Sequence, residues 1–150
     1  MYIPSGTEGQ PPRLEKVTIE NCFARDGGAG ICANGSFDAK FCIVRACAAG
    51  NDAVLARGGG VLIDQLAGPQ GNIPLIARLH SCEVNTSRAW FGGGIHVNFI
   101  DPSNGQMLTQ NLVLHNNGAH QGGGLYVATD LGRTLLVNAC LLYTSPSPRD

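Results

Sequence analysis

Four glycine clusters recur along the chain at nearly constant intervals, and they constrain its fold more than any other feature. They are Gly27-Gly28-Ala29-Gly30, Gly58-Gly59-Gly60, Gly92-Gly93-Gly94 and Gly122-Gly123-Gly124, and their last glycines stand 30, 34 and 30 residues apart. A period of that size marks a stack of supersecondary units, none of which can bury its apolar face alone. Each cluster opens a short stretch: Ile31-Cys32-Ala33, Val61-Leu62-Ile63, Ile95-His96-Val97 and Leu125-Tyr126-Val127. The first and third residues are apolar while the middle one varies, which is the period-two signature of a strand with one buried face.

A second strand pattern precedes each cluster. Ile19-Glu20-Asn21-Cys22, Val44-Arg45-Ala46-Cys47 and Leu79-His80-Ser81-Cys82 superpose, Val137-Asn138-Ala139-Cys140 continues the series, and Thr109 and Leu112 take those places in the remaining copy. Turn formers follow at Asp26, Asn51, Asn85 and Asn116. Polar excursions of variable length, such as residues 66–72 and 102–105, separate the repeats and stay outside the stack. Parallel stacking sets equivalent residues about 4.8 Å apart, so like sits on like. One interior ladder is expected from Ile31, Val61, Ile95 and Leu125, and another from Cys22, Cys47, Cys82 and Leu112. Glycine is required where the backbone turns through φ > 0 or packs against its neighbour. The fold class that follows is all-β: a right-handed parallel β-helix of about four coils with a partial fifth, over residues 14–140, after an irregular segment 1–13.

The apolar-x-x-Cys strand, the Asn turn and the Gly-Gly-Gly-(Ile/Val/Leu) element together resemble the β-helix repeats of the chlamydial polymorphic outer-membrane protein type. The resemblance spans about residues 14–140. That family carries a Phe-x-x-Asn element beside its glycine element; here the nearest match is Phe23-Ala24-Arg25-Asp26, which ends in Asp. The resemblance implies a solenoid at a cell surface, without the family's membrane-anchoring barrel in these residues. The final stretch, CLLYTSPSPRD from Cys140 to Asp150, resembles the translated read-through of a sequencing-library adapter. Residues 141–150 are therefore expected to be a non-native, disordered tail. The start, Met1 to Lys16, lacks the basic and apolar regions of a signal peptide, which we read as a natural start lying upstream.

Composition narrows the partners. Net charge is -1, and Lys16 and Lys40 are the only lysines. With no basic stripe, nucleic acid is a poor partner, and no apolar run reaches the length of a membrane span. The six cysteines form no CxxC pair, so a structural zinc site is not expected. Three share one repeat position, which suits a stack of small buried side chains. Disulfides are the alternative, with Cys42 and Cys47 as the first bridge to consider outside that ladder. No glycine cluster continues into Gly-Lys-Ser/Thr, so none is a phosphate loop. A calcium-binding nonapeptide solenoid needs Asp where Cys32 stands.

The remaining polar residues give no site. His96 shares its outward position with Leu62 and Tyr126 and is expected at the surface. His115 and His120 flank a turn with no third ligand in view, and His80 falls within the second strand pattern. Asp64 and Asn98 share one repeat position with Asn34 and Ala128, whereas glycoside hydrolysis needs two facing carboxyl groups. Asp38, Asp101 and Asp130 are placed in the excursions. Asn34-Gly35-Ser36 and Asn85-Thr86-Ser87 match the glycosylation acceptor pattern. The sequence thus singles out no catalytic, cofactor-binding or metal-binding residue and no cofactor. Two functional readings remain. One is a non-catalytic surface or secreted β-solenoid, extracellular, serving as a stalk, adhesin-like or recognition scaffold, with glycans or surface proteins as partners and end-to-end self-association through open coils. The other is part of a carbohydrate-active β-helix enzyme, a polysaccharide lyase or glycoside hydrolase.

Overall fold

The computed structural model describes residues 1–4, 10–50, 55–65, 75–99, 105–128 and 133–142. Among them all regular structure is β. β1 (Tyr2–Ile3) comes first, and four coils of four strands follow. The first coil holds β2 (Arg13–Glu15), β3 (Thr18–Glu20), β4 (Phe23–Ala24) and β5 (Ile31–Ala33). The second holds β6 (Phe37–Lys40), β7 (Ile43–Arg45), β8 (Ala48–Ala49) and β9 (Val61–Gln65). The third holds β10 (Leu75–His80), β11 (Glu83–Asn85), β12 (Arg88–Phe91) and β13 (Ile95–Phe99). The fourth holds β14 (Gly105–Gln110), β15 (Val113–His115), β16 (Gly118–Gln121) and β17 (Leu125–Val127), and β18 (Arg133–Val137) with β19 (Cys140–Leu142) open a fifth.

Strands of like position pair in parallel into four sheets, numbered here in the order a coil visits them. Sheet I is β2-β6-β10-β14-β18, sheet II is β3-β7-β11-β15-β19, sheet III is β4-β8-β12-β16, and sheet IV is β1-β5-β9-β13-β17. This is the parallel β-helix that the glycine period predicts. Of the expected tail at 141–150, Leu141 and Leu142 lie in β19 opposite Leu114 and His115. Residues 143–150 lie outside the described residues, as do Asn51, Asp101 and Asp130.

Among the described residues, three corners turn on a residue with positive φ. Sheet I passes to sheet II through Lys16, Phe41, Ser81, Asn111 and Asn138, and sheet II to sheet III through Asn21, Ala46, Thr86 and Asn116, all with φ of 50–55°. Asn is the side chain best suited to that region after glycine. Sheet III passes to sheet IV through Gly28, Gly58, Gly92 and Gly122, with φ of 59–65°. The glycine that follows in the second and third clusters answers to crowding instead. A Cβ on Gly93 would stand 2.2 Å from the carbonyl oxygen of Gly118, and one on Gly59 would stand 2.3 Å from that of Arg88. The next coil leaves no room there.

The interior is a set of vertical ladders. Ile31, Val61, Ile95 and Leu125 stack in sheet IV as expected, because each pairs with the next in register. Ile31, Val61 and Ile95 are fully buried, and burying such a side chain stabilises the fold by about 1.5–3 kcal/mol. In sheet I the large Phe37 sits opposite the small Ala77, followed by Met107, so volumes alternate along the stack.

The second expected ladder is corrected by the register. Cys22 does face Cys47, since their neighbours Phe23 and Ala48 pair. The following coils place Ser87 and Asn117 in that line, because Ala48, Arg88 and Gly118 pair in turn. Cys82 belongs to a separate ladder at the corner of sheets I and II, with Val17, Cys42 and Leu112. Both corners carry one signature, an inward residue, an outward residue, the positive-φ residue and a second inward residue, and they lie five positions apart. Aligning a single copy per coil therefore slides between them. Asn85 is likewise not a turn former but the last residue of β11. Of the expected turn residues, Asn116 is the one at a sheet II–III corner, where its equivalents are Asn21, Ala46 and Thr86. Asp38 lies within β6 rather than in an excursion.

At five of these corners the inward residue that follows reaches a backbone carbonyl two positions back. The thiols of Cys22, Cys42, Cys47 and Cys82 donate to the carbonyls of Glu20, Lys40, Arg45 and His80 at 3.3–3.4 Å, and the Ser87 hydroxyl donates to Asn85 at 3.1 Å. Asn117 goes further: its Oδ1 accepts from the Ser87 N–H at 2.9 Å and its Nδ2 donates to the Val84 carbonyl at 2.8 Å. Small polar or sulfur side chains thus recur here because the corner backbone needs partners. The bridge considered between Cys42 and Cys47 is excluded. These residues flank opposite ends of β7, roughly 15 Å apart along the strand, beyond disulfide reach.

Candidate functional site

The outer surface where sheet III turns into sheet IV gathers the richest set of side chains. Sheet IV presents the outward ladder Tyr2, Cys32, Leu62, His96 and Tyr126. The residue just before the positive-φ glycine supplies a second line, in which Gly27, Arg57 and Phe91 are bridged in parallel. These two lines meet over the third and fourth coils. His96 stacks on Tyr126 with ring centroids 5.1 Å apart and planes 26° from parallel. Phe91 lies tilted against Tyr126 at 5.2 Å and edge-on to His96 at 6.5 Å.

This cluster corrects the expectation for His96. The residue points outward, yet it is only 2% exposed, because Phe91 from its own coil and Tyr126 from the next close over it. Among the described residues, neither ring nitrogen has a well-formed hydrogen bond, although the Phe91 backbone lies close enough to favour the protonated ring a little. Burial pushes its pKa down to about 4; the nearby Arg57 adds to the fall and Asp64 opposes it. Beside the cluster, Asn98 Nδ2 donates to Asp64 Oδ1 at 2.8 Å, and Arg57 lies 4.0 Å from Asp64 Oδ2. The expected equivalence of Asp64 and Asn98 is therefore real, and it produces a hydrogen-bonded pair rather than a lone turn residue.

On sheet III, Trp90 stands beside His120 in an edge-to-face contact at 4.5 Å and is 36% exposed. The aliphatic stem of Arg88 lies next to Gly118 of the following coil. Trp90, His120 and Arg88 thus form an open aromatic ledge around the corner from the closed His96 cluster. His115 and His120 do not converge: His115 Nε2 lies 2.9 Å from Glu83, while His120 serves Trp90. His80 packs edge-on against Phe41 at 5.7 Å. Asn85, one of the two glycosylation-pattern residues, is buried and held by Glu83.

Among the described residues, acids elsewhere stand singly. Asp38 is buried, with Lys40 at 3.9 Å and Arg13 and Arg78 as register neighbours in adjacent coils. Among the described residues, no three His, Cys, Asp or Glu side chains are grouped to hold a metal ion, and no helix is long and apolar enough to cross a membrane. The sequence missed Phe91, Tyr126, Arg57 and Trp90. The signal was present in the slot preceding each corner glycine, which is aromatic in one coil and cationic in its neighbour, but its meaning depends on which outward ladder it faces. Set against protein-family models, curated proteins and solved structures, the chain finds no match in any of the three.

Proposed function

We propose that this chain is a non-catalytic β-solenoid, secreted or displayed at a cell surface, that recognises sugar chains on the ledge formed by Trp90, His120 and Arg88. The observation that carries the reading is Trp90: an indole held edge-on by His120 while more than a third of it stays open to solvent. A rigid aromatic face of this kind binds flat apolar faces, and the adjoining guanidinium supplies hydrogen-bond donors to hydroxyl groups. The scaffold suits the role because its outward positions change from coil to coil without disturbing the interior ladders.

The carbohydrate-active alternative is weaker on chemical grounds. Hydrolysis requires two carboxyl groups across the substrate, whereas the groupings around Asp64 and Asp38 each pair one carboxylate with cations or an amide among the described residues. The test uses the sole tryptophan, Trp90, as a fluorescent reporter while a panel of oligosaccharides is titrated, together with a glycan array. Binding to at least one sugar class, lost on Trp90→Ala with the circular dichroism spectrum unchanged, is expected. Turnover of any polysaccharide, or binding indifferent to Trp90→Ala, would overturn the proposal.

A further inference from the structure

Four of the six cysteines meet in pairs across neighbouring coils, and the strand motif alone shows the first of these pairs but not the second. Cys22 faces Cys47 at the corner of sheets II and III, with Ala48 N–H donating to the Cys22 carbonyl at 2.9 Å. Cys42 faces Cys82 at the corner of sheets I and II, with Glu83 N–H donating to the Cys42 carbonyl at 2.9 Å. Residues so placed have Cα atoms about one strand spacing apart, roughly 4.8 Å, within the range that disulfides span. In each pair the later sulfur also leans onto the earlier coil. Cys82 Sγ reaches the Ala39 carbonyl at 3.4 Å and Cys47 Sγ the Ile19 carbonyl at 4.0 Å, beside the partner thiol in both cases. Cys32 lies between Tyr2 and Leu62, and Cys140 opposite Val113, so neither faces another cysteine.

We propose that Cys22–Cys47 and Cys42–Cys82 are two oxidation sites, forming disulfides that staple the first coil to the second and the second to the third. The oxidant is a small-molecule disulfide such as oxidised glutathione. One thiolate of a pair attacks a glutathione sulfur, forming a mixed disulfide and expelling one glutathione thiolate. The second thiolate then attacks the protein sulfur of that mixed disulfide and expels the other. Each bridge consumes one oxidised glutathione and yields two reduced ones, the expelled glutathione thiolates taking up the two protons that the protein thiols give up. Cys22 is the half-buried member of its pair and the accessible point of first attack, whereas Cys42 and Cys82 are each only 3% exposed and become accessible as the coils assemble. Burial pushes the Cys82 thiol up to about 11, which keeps it protonated in the folded chain, so exchange at that pair runs ahead of its burial. The staples stop at the third coil, because the fourth carries Leu112 and Asn117 at the two positions.

The full chain, reduced and unfolded in urea, is refolded in a glutathione redox buffer at pH 8, quenched with an alkylating agent and digested with trypsin. Every cysteine falls in a different tryptic peptide, so connectivity reads directly from the masses. The expected result is peptide 17–25 linked to 46–57, peptide 41–45 linked to 79–88, and alkylated Cys32 and Cys140. A link between 41–45 and 46–57, or six alkylated thiols under oxidising conditions, overturns the proposal. Cys47→Ser places at that corner the residue already found at Ser87. In this variant the link between 41–45 and 79–88 should persist and Cys22 should alkylate. Re-pairing of Cys22 with any other cysteine would show that register does not choose the partners.

Discussion

Replacing His96 with Leu should stabilise the protein, and increasingly so as pH falls. The side chain is buried with neither ring nitrogen in a well-formed hydrogen bond, and each such group costs about 1–3 kcal/mol. Leucine fits the slot, since Leu62 occupies it in the preceding coil. Losing the stack on Tyr126 offsets about 0.5–1.5 kcal/mol of this, which leaves a net gain of about 1–5 kcal/mol at neutral pH. The pH dependence adds to this. The unfolded chain takes up a proton near 6.5, the folded chain near 4. Between those values the unfolded state binds more protons, so native stability falls as pH falls through that window. At about 1.4 kcal/mol per decade of displacement, the full effect is about 3 kcal/mol, most of it developed by pH 4.5. The assay is urea unfolding of native and His96→Leu proteins at pH 7.5, 6.5, 5.5 and 4.5, followed by Trp90 fluorescence. Other carboxylates titrate in both proteins and cancel in the difference. Two stability curves that run parallel from pH 7.5 to 4.5 would refute the account of a neutral imidazole sealed under Phe91 and Tyr126.

Gly93→Ala places a Cβ within 2.2 Å of the Gly118 carbonyl oxygen and 2.9 Å of that of Gly123; backbone on both sides cannot yield, and expression of folded protein should collapse. Gly118→Ala is the control, because the nearest atom, Cγ of Arg88, stands 3.7 Å away, and thermal unfolding should rise slightly as the unfolded chain loses freedom. Asn117→Ala leaves the buried Ser87 N–H without its partner, so urea denaturation should register a loss of about 1–3 kcal/mol. Thr86→Asn replaces a β-branched residue at φ 52° with the type found at Asn21 and Asn116, and the same assay should show a gain of about 1 kcal/mol.

What the sequence determined by itself was the scaffold and its period. Three glycines at intervals of 30–34 residues admit few solutions, because a close coil-to-coil approach excludes any Cβ at Gly93 and a left-handed corner favours none at Gly92 or Gly122. The alternation after each cluster then fixes which side chains face inward, and the ladder from Ile31 to Leu125 follows without further information. What only the tertiary structure decided was the register at the other two corners. These repeat one local pattern five residues apart, and local chemistry is equally satisfied by either alignment. Hydrogen bonding between coils makes the choice, and it moves Cys82 from the line of Cys22 to the line of Cys42. The same holds for His96. Its outward direction is set by strand alternation, but its burial depends on Phe91 and Tyr126, one of which comes from the corner before it and the other from the coil above. Direction is a property of the strand, whereas exposure is a property of its neighbours.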